Sequence, residues 1–419
     1  MMAFDSSHSL PTIEAPASLV YAVNTVARDG RDGEPERGGV LIDTPPRRIK
    51  EILPKFQKRS TNPSQEPRWY RQLIRRLKED SQLLRSTFQL AFALLCIWIG
   101  AEFYFFVRWG TSGGQETYVP RPPGAEGFLP ISGLVSLKYW IQTGIINSVH
   151  PAALFILLAV VVVSVTAKKS FCSWLCPIGT LSESLWMLGR GLFGQNRDLP
   201  RWIDIPLRSL KYLLLSFFAW SVWNMGVEAL AGFIDSPYNR VADVKMYLFF
   251  AQISSLAFWV IASIMFLSVV IRNFWCRYLC PYGALLGIVG LLSPMKITRA
   301  KATCVDCELC TRACPANIKV HAAGRVWSDE CTSCLACVQV CPVKNTLDVR
   351  FRAKGTSVPN WVIGTLVGGI FFGVTGLAML SGHWHNSIPK DEYLRRFQQL
   401  DSPLYQHFRG QAPQYGPND

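Results

Sequence analysis

The sequence has little charge for its length. Only 17% of its 419 residues are charged, whereas 49% are hydrophobic, and a soluble protein of this size carries about 25% charged residues. Several motifs are also missing from the sequence. It has no C-x-x-C-H haem attachment site, no P-loop and no G-x-G-x-x-G turn after a strand, so covalent haem and nucleotide binding are unsupported. A basic groove interleaved with aromatic residues is missing too, which excludes nucleic acid as an expected partner.

Long apolar stretches account for the low charge. They lie near residues 86–107, 151–167, 205–227, 247–271 and 359–381. Each is about 17–25 residues long, which is enough for a helix to cross a bilayer. A large soluble helical core would need shorter and more amphipathic segments. The sequence therefore predicts five transmembrane helices.

The basic residues are distributed unevenly about these stretches. The net charge is +14, and most of the 43 Lys and Arg residues precede the first stretch or follow the second and fourth. Basic residues collect on the cytoplasmic side of membrane proteins. We therefore expect a bacterial inner-membrane protein with its N-terminus and residues 299–350 in the cytoplasm and its C-terminus in the periplasm.

Eight cysteines form two copies of C-x2-C-x2-C-x3-C-P within residues 304–341. Bacterial ferredoxins bind two [4Fe-4S] clusters with this spacing, and the fourth cysteine of each run binds the other cluster. The alternatives are a zinc knuckle or a disulfide framework, but zinc sites usually pair C-x2-C with a distant second pair. We predict two [4Fe-4S] clusters, one bound by Cys304, Cys307, Cys310 and Cys341 and the other by Cys331, Cys334, Cys337 and Cys314.

A second motif, aromatic-C-x3-C-P-x-G, follows the second and the fourth apolar stretch and supplies Cys172, Cys176, Cys276 and Cys280. Cysteines at i and i+4 of a helix lie on one face, and glycine permits an unusual turn. If two related helical hairpins face each other, the four thiols meet. They then hold a third cluster or Cu(I), or act as a thiol redox relay. The alternative is two pairs of packing residues that never meet.

Two ionisable residues are further candidates. Glu102 lies in the outer half of the first apolar stretch, where an ionisable residue is a candidate proton carrier, although pairing with Arg108 or snorkelling explains it equally well. His150 precedes the second stretch and is a candidate for quinone or proton binding, or a residue of the polar interface. The proline-rich loop 118–130 and the apolar stretch 131–145 predict a quinone pocket or an amphipathic cap.

The order of these motifs resembles the NapH/NosR/CcoG group of membrane-bound polyferredoxins, over residues 86–381. The resemblance implies that the eight ferredoxin-type cysteines are cluster ligands and that the four C-x3-C-P cysteines are redox or metal-handling residues. Members of the group move electrons from the quinol pool or the cytoplasm toward periplasmic reductases, or reduce metal during oxidase maturation. The large flavin-binding domain of the NosR type and the β-sandwich of the CcoG type have no counterpart here. The long N-terminal extension departs from the NapH type.

These observations together predict a mainly α integral membrane protein. It has two duplicated transmembrane hairpins, a fifth span, and a small α+β two-cluster ferredoxin module inserted before that span. The predicted segments are a disordered tail (1–46), a basic interfacial segment (47–85), two hairpins (86–199 and 200–298), the ferredoxin module (299–350), the fifth span (359–381) and a periplasmic tail (382–419).

The predicted function is electron transfer between a quinol or cytoplasmic donor and a partner redox protein, either a reductase or an oxidase. The first alternative is a copper reductase that assembles a respiratory oxidase. The second is a redox-sensing regulator.

Overall fold

The computed structural model describes residues 80–194, 196–197, 199–352 and 355–405. The predicted tail 1–46 and nearly all of segment 47–85 lie outside the described residues. The described chain is mainly helical. Its helices are α1 Ser81–Thr111, α2 Pro130–Thr143, α3 Pro151–Ala167, α4 Phe171–Trp174, α5 Pro177–Phe193, α6 Arg201–Trp223, α7 Val227–Asp235, α8 Pro237–Arg240, α9 Ala242–Ala251, α10 Ser255–Val270, α11 Pro281–Gly290, α12 Leu309–Arg312, α13 Ala336–Gln339, α14 Asn360–Leu380 and α15 Lys390–Gln398.

The remaining regular elements are short. The 3₁₀ turns are Pro123–Phe128, Lys301–Thr303 and Pro403–Tyr405, and a π-helical turn spans Trp275–Leu279. The strands are β1 Met295–Arg299, β2 Leu347–Phe351 and β3 Ser357–Val358.

Only α1 and α14 are by themselves long and apolar enough to cross a membrane, among the helices within residues 80–405 that the structure describes. The second predicted span, α3, is a shorter apolar helix of 17 residues. The third and fourth predicted spans are each broken. Helix α6 meets α7 at 104°, and α9 meets α10 at 83°. If each bent pair is one span, the described chain has up to four candidate spans of sufficient length.

Polar capping groups occur at both breaks. At the end of α6, the Lys138 ammonium donates hydrogen bonds to the carbonyls of Val222 (3.0 Å), Trp223 (2.6 Å) and Met225 (2.5 Å). Cations stabilise helix C-termini because they neutralise the unpaired carbonyls. At the other break, Ser254 caps α10 by accepting a hydrogen bond from an N–H of its first turn. These contacts stabilise the end of α6 and the start of α10, and so favour a break within each stretch that was predicted as one long helix.

In each C-x3-C-P repeat, the helix that follows the motif packs against the helix that precedes the motif of the other repeat, an arrangement called here exchanged packing. The helix after the first motif, α5, packs against α10, which precedes the second motif. In the same way α11, which follows the second motif, packs against α3, which precedes the first. A Cβ on Gly189 of α5 would lie only 1.8 Å from the Val269 carbonyl oxygen, so this contact requires glycine. The sequence predicts that α1 and α3 form a hairpin. In the structure, α3 packs most extensively against α14 instead.

A small antiparallel sheet flanks the cysteine-rich segment, because β1 precedes the segment and β2 follows it. Strand β1 pairs with β2, with Ile297 opposite Val349, and β2 pairs with β3. Ile297 and Val349 belong to one hydrophobic core together with Val160 of α3 and Val367 of α14. The ferredoxin-type segment therefore shares its core with the apolar helices.

Hydrogen bonds fix the loop around Cys331–Cys334 against α1 and α4. Trp174 Nε1 donates to the carbonyl of Ser333 (3.1 Å), and Ser173 Oγ donates to that of Thr332 (2.7 Å). Gln82 Nε2 donates to the carbonyl of Cys334 (2.9 Å). Because the three donors come from two helices, the loop cannot shift without breaking contacts to both.

The salt bridge between Lys211 of α6 and Glu330 also joins the apolar helices to the ferredoxin-type segment. Both side chains are buried. Removing one partner of a buried ion pair typically costs about 3–5 kcal/mol, whereas replacing both is far less costly. We expect Glu330→Gln to lower the thermal unfolding midpoint of the detergent-solubilised protein strongly. The double variant Lys211→Met/Glu330→Gln should recover most of the loss. A single variant as stable as the wild-type protein would contradict this docking contact.

Candidate metal centre

The two ferredoxin-type loops have the same unusual backbone. In each run the residues on both sides of the second cysteine have positive φ: Asp306 (50°) and Glu308 (57°) in the first, Ser333 (48°) and Leu335 (62°) in the second. Residues other than glycine rarely adopt this conformation. Left-handed residues in such turns point successive N–H groups to one side, which creates the concavities that bind anions and iron–sulfur clusters. The loops therefore fit clusters by their backbone as well as by their cysteines.

The fold brings the thiols into two groups. Cys341 interacts electrostatically with the first group, Cys304, Cys307 and Cys310. Cys314 interacts with Cys334 and Cys331, and Cys337 interacts with Cys334, Cys331 and Cys314 and also with Cys310 of the first group. This grouping supports the predicted exchange of the fourth cysteines, which stays a prediction. None of the thirteen cysteines forms a disulfide bond.

The two groups differ in exposure. Cys314, Cys331 and Cys337 are buried, and with Cys334 they line one cavity. Burial raises the pKa of the Cys314 thiol to about 12, so without a metal it would be protonated and inert. Cys307 of the other group is exposed. One end of the ferredoxin-type segment thus faces solvent and the other is enclosed.

The C-x3-C-P motifs do not form one continuous helix. Cys172 lies in the short helix α4, whereas Cys176 is the N-cap of α5. Cys276 lies in the π-helical turn, and Cys280 is the N-cap of α11. The expectation that each pair occupies one helical face is therefore wrong, because the proline begins a new helix at its first position.

The second cysteine and the glycine of each motif act together. Cys176 Sγ accepts a hydrogen bond from Gly179 N–H at 3.4 Å, and Cys280 Sγ accepts one from Gly283 N–H at 3.3 Å. Helix N-termini stabilise thiolates. The glycine does not provide an unusual turn, since neither has positive φ. It permits close approach: a Cβ on Gly179 would lie 2.1 Å from the Cys172 carbonyl oxygen.

The exchanged packing brings the two motifs together. Cys276 interacts electrostatically with Cys280, Cys176 and Cys172, and Cys172 and Cys276 line one cavity, so the four thiols lie in one region, called here the four-thiol site. Burial raises the pKa of Cys172 to about 12 and that of Cys176 to about 11. Thiolates are soft ligands suited to iron–sulfur clusters or Cu(I), and metal binding deprotonates a thiol outright.

The four-thiol site borders the enclosed end of the ferredoxin-type segment. One cavity is lined by Cys172 and Cys276 on one side and by Cys334 on the other, with Lys169 and Glu330 also in its wall. Neither Lys169 nor Glu330 was predicted as a site residue. The signal in the sequence was the position of Lys169 three residues before Cys172, the first cysteine of the first motif.

In the structure the two other candidates, Glu102 and His150, both have polar partners. Glu102 accepts a hydrogen bond from Trp98 Nε1 at 3.0 Å, while Arg108 pairs with Glu116 at 2.5 Å. The suggested pairing of Glu102 with Arg108 is therefore wrong.

His150 is fully buried. Its Nε2 lies 2.7 Å from the Asn239 carbonyl oxygen and its Nδ1 lies 3.3 Å from Arg121 Nη2. Arg121 also pairs with Glu126 and Asp243, both buried. The proline-rich loop thus supplies Arg121 and Glu126 to a packed ion cluster, which favours the capping role over a quinone pocket.

Family models match both cysteine-containing parts of the chain. A 4Fe-4S binding domain matches residues 149–196 and 252–299, one C-x3-C-P motif in each copy. A 4Fe-4S dicluster domain matches residues 296–342. These matches support iron–sulfur clusters in this chain, and one of the two family models covers the repeat outside the ferredoxin-type segment.

Relatives among characterised sequences are electron-transport and ferredoxin-type proteins. The putative electron transport protein YccM of Escherichia coli K12 is 44% identical over 328 residues, covering 77% of this chain and 91% of that protein. The ferredoxin-type protein NapH of the same strain is 26% identical over 43% of this chain and 62% of its own length. The regulatory protein NosR of Stutzerimonas stutzeri is 31% identical, over 40% of this chain and 22% of its own length. No solved structure matches the chain.

The close approach at Gly179 gives a test of the motif geometry. Gly179→Ala forces the Cys172 carbonyl to move, and such overpacking costs about 1–3 kcal/mol. We expect a lower thermal unfolding midpoint and loss of metal from the four-thiol site. Gly191→Ala in the same helix is the matched control, because nothing lies within 4 Å of its added Cβ. Equal behaviour of the two variants would contradict the role assigned to Gly179.

Proposed function

Since the chain belongs to the NapH/NosR-like group of ferredoxin-type 4Fe-4S proteins, we propose that it relays electrons between a quinol or cytoplasmic donor and a partner redox protein. Bound iron–sulfur clusters supply one-electron transfer. The residues of this chain bind the clusters, exclude water from the enclosed ones and leave one set open to a partner.

The observation that carries the proposal is the cavity shared by Cys172, Cys276 and Cys334. It belongs to two cysteine sets that come from different parts of the chain. The ferredoxin-type loop is held against this cavity by Trp174, Ser173 and Gln82. A soluble carrier that only anchored itself to a membrane would need no such contact between its cysteines and the apolar helices.

We assign the ligands as follows. The exposed set is Cys304, Cys307, Cys310 and Cys341, and the enclosed set is Cys331, Cys334, Cys337 and Cys314. A third centre is held by Cys172, Cys176, Cys276 and Cys280. The match of a 4Fe-4S binding domain to both C-x3-C-P regions favours a cluster over Cu(I) at this site.

We further propose that the protein spans the bacterial inner membrane five times. The broken third and fourth stretches each count as one bent span, and α3 crosses as a short helix supported by α14. The uneven distribution of the Lys and Arg residues supports a cytoplasmic ferredoxin module. In this topology the segments keep their predicted bounds, with hairpin regions 86–199 and 200–298, the ferredoxin module 299–350, the fifth span 359–381 and a periplasmic segment 382–419.

Metal content tests the third centre. Anaerobically purified wild-type protein should contain about twelve irons, four for each of three cubanes. We expect Cys172→Ala and Cys276→Ala to reduce this to about eight, with matching loss of sulfide and no change in copper. Cys96→Ala is the control, because Cys96 lies in α1 and belongs to neither motif.

The same measurement separates the competing functions. Variants that lose copper but keep all their iron would favour the copper-reductase alternative. Wild-type protein with only about eight irons would contradict a third cluster.

Topology reporters test the membrane arrangement. Alkaline phosphatase is active only in the periplasm, so its fusion after residue 405 should be active and a fusion after residue 352 inactive. Green fluorescent protein at the same positions should give the reverse pattern. An active phosphatase fusion after residue 352 would place the ferredoxin module outside the cytoplasm and contradict the proposed orientation.

A further inference from the structure

Lys169 is a buried cation beside the four C-x3-C-P thiols. It is 3% exposed and lines the cavity that Cys172, Cys276 and Cys334 share. Burying an ammonium group is costly unless negative charge compensates it. Its presence at this position therefore requires a source of negative charge nearby.

The electrostatic partners of Lys169 are Glu330 and the thiols of Cys172, Cys280 and Cys276. Burial lowers the pKa of Lys169, but Glu330 and these three thiols outweigh that effect, so the pKa is raised overall. Among the described residues, no carboxylate lies within salt-bridge distance of Lys169. Glu330 already forms its salt bridge with Lys211. Besides Glu330, the groups that face the Lys169 ammonium are therefore the thiols of Cys172, Cys276 and Cys280, which become negatively charged when they bind a metal.

The backbone of the second motif makes room for this cation. A Cβ on Gly283 would lie 3.4 Å from Lys169 Nζ and 3.5 Å from its Cε. Lys169 belongs to the first repeat, and Gly283 is the glycine of the second. The side chain thus extends from one motif across to the other.

The two repeats differ at this position. Three residues before the first cysteine, the first motif has Lys169 and the second has Asn273. The Asn273 Oδ1 accepts a hydrogen bond from Ser182 Oγ at 3.3 Å. The four thiols therefore receive this buried charge from only one of the two repeats.

We propose that Lys169 is a fixed positive charge that raises the reduction potential of the centre held by Cys172, Cys176, Cys276 and Cys280. The inference rests on the proposed third iron–sulfur centre. Uptake of one electron adds negative charge without forming or breaking a bond, and a nearby buried cation stabilises the reduced state. Net charge and burial are among the factors that set cluster potentials, and their effect is larger in a low-dielectric site.

A redox titration of the purified full chain, monitored by electron paramagnetic resonance, tests this role. Lys169→Asn gives the first motif the residue of the second and removes the charge. We expect the reduced-to-oxidised ratio of this centre at a fixed potential to fall about tenfold, a shift of about 59 mV for one electron. Lys169→Arg keeps the charge and should remain near the wild-type value. Lys301→Gln removes an exposed charge beside the Cys304 set and should leave this centre unchanged.

The outcomes are distinguishable by iron content. An unchanged midpoint in Lys169→Asn with full iron content would overturn the proposal. If Lys169→Asn loses the iron of this centre, the Lys169→Arg variant decides the matter. Wild-type iron content and a wild-type midpoint potential in Lys169→Arg support a role of the charge, whereas loss of either one overturns it. Failure of the proposed function is separate, because the wild-type protein would then show only the signals of two clusters and about eight irons.

Discussion

The exchanged packing of the two repeats is the contact on which the rest of the structure depends. Each C-x3-C-P motif lies between an apolar helix and a second helix that packs against the other repeat. At Gly189 the backbone of α5 reaches the Val269 carbonyl. At Gly290 the backbone of α11 reaches Lys168 and Lys169, with 3.3 Å between an added Cβ and Lys169 N. Larger side chains at these positions would separate the motifs, because overpacked contacts force backbones apart.

The ferredoxin-type segment packs against this site and forms part of its wall. Its core residues belong to the same hydrophobic cluster as α3, α4 and α14. Arg272, which lies just before the second motif, donates to Asn317 Oδ1 at 3.2 Å, and Lys168 Nζ donates to the carbonyls of Val326 and Ser328. Basic residues near the ends of apolar helices are commonly explained by membrane topology alone. Here they also fix the segment whose cysteines border the four-thiol site.

Much of this arrangement could be predicted from the sequence, since spacing carries strong information about cluster-binding loops. The mainly helical character and the presence of 4Fe-4S domains were confirmed, and the described residues contain two to four candidate membrane spans. The breaks in the third and fourth apolar stretches could not be predicted from hydropathy. One depends on Lys138, which is distant in sequence from the carbonyls of Trp223 and Met225 that it caps. The role of the motif glycine was missed for a similar reason, because it depends on a carbonyl oxygen that only the folded chain places there.

The distribution of burial gives the proposed relay a direction in space. An enclosed redox centre is protected from solvent, whereas a partner protein must approach an exposed one. Cys307 is exposed, and Asp306 and Glu308 on either side of it are exposed as well. Cys337 is buried, and Cys172 and Cys276 lie beyond it at the shared cavity. A docking partner would therefore meet the Cys304 set, which includes the exposed Cys307, before the thiols at the shared cavity. In that arrangement Lys169, itself buried, lies beside the C-x3-C-P thiols, where solvent screens a charge less than it does at the exposed Cys307.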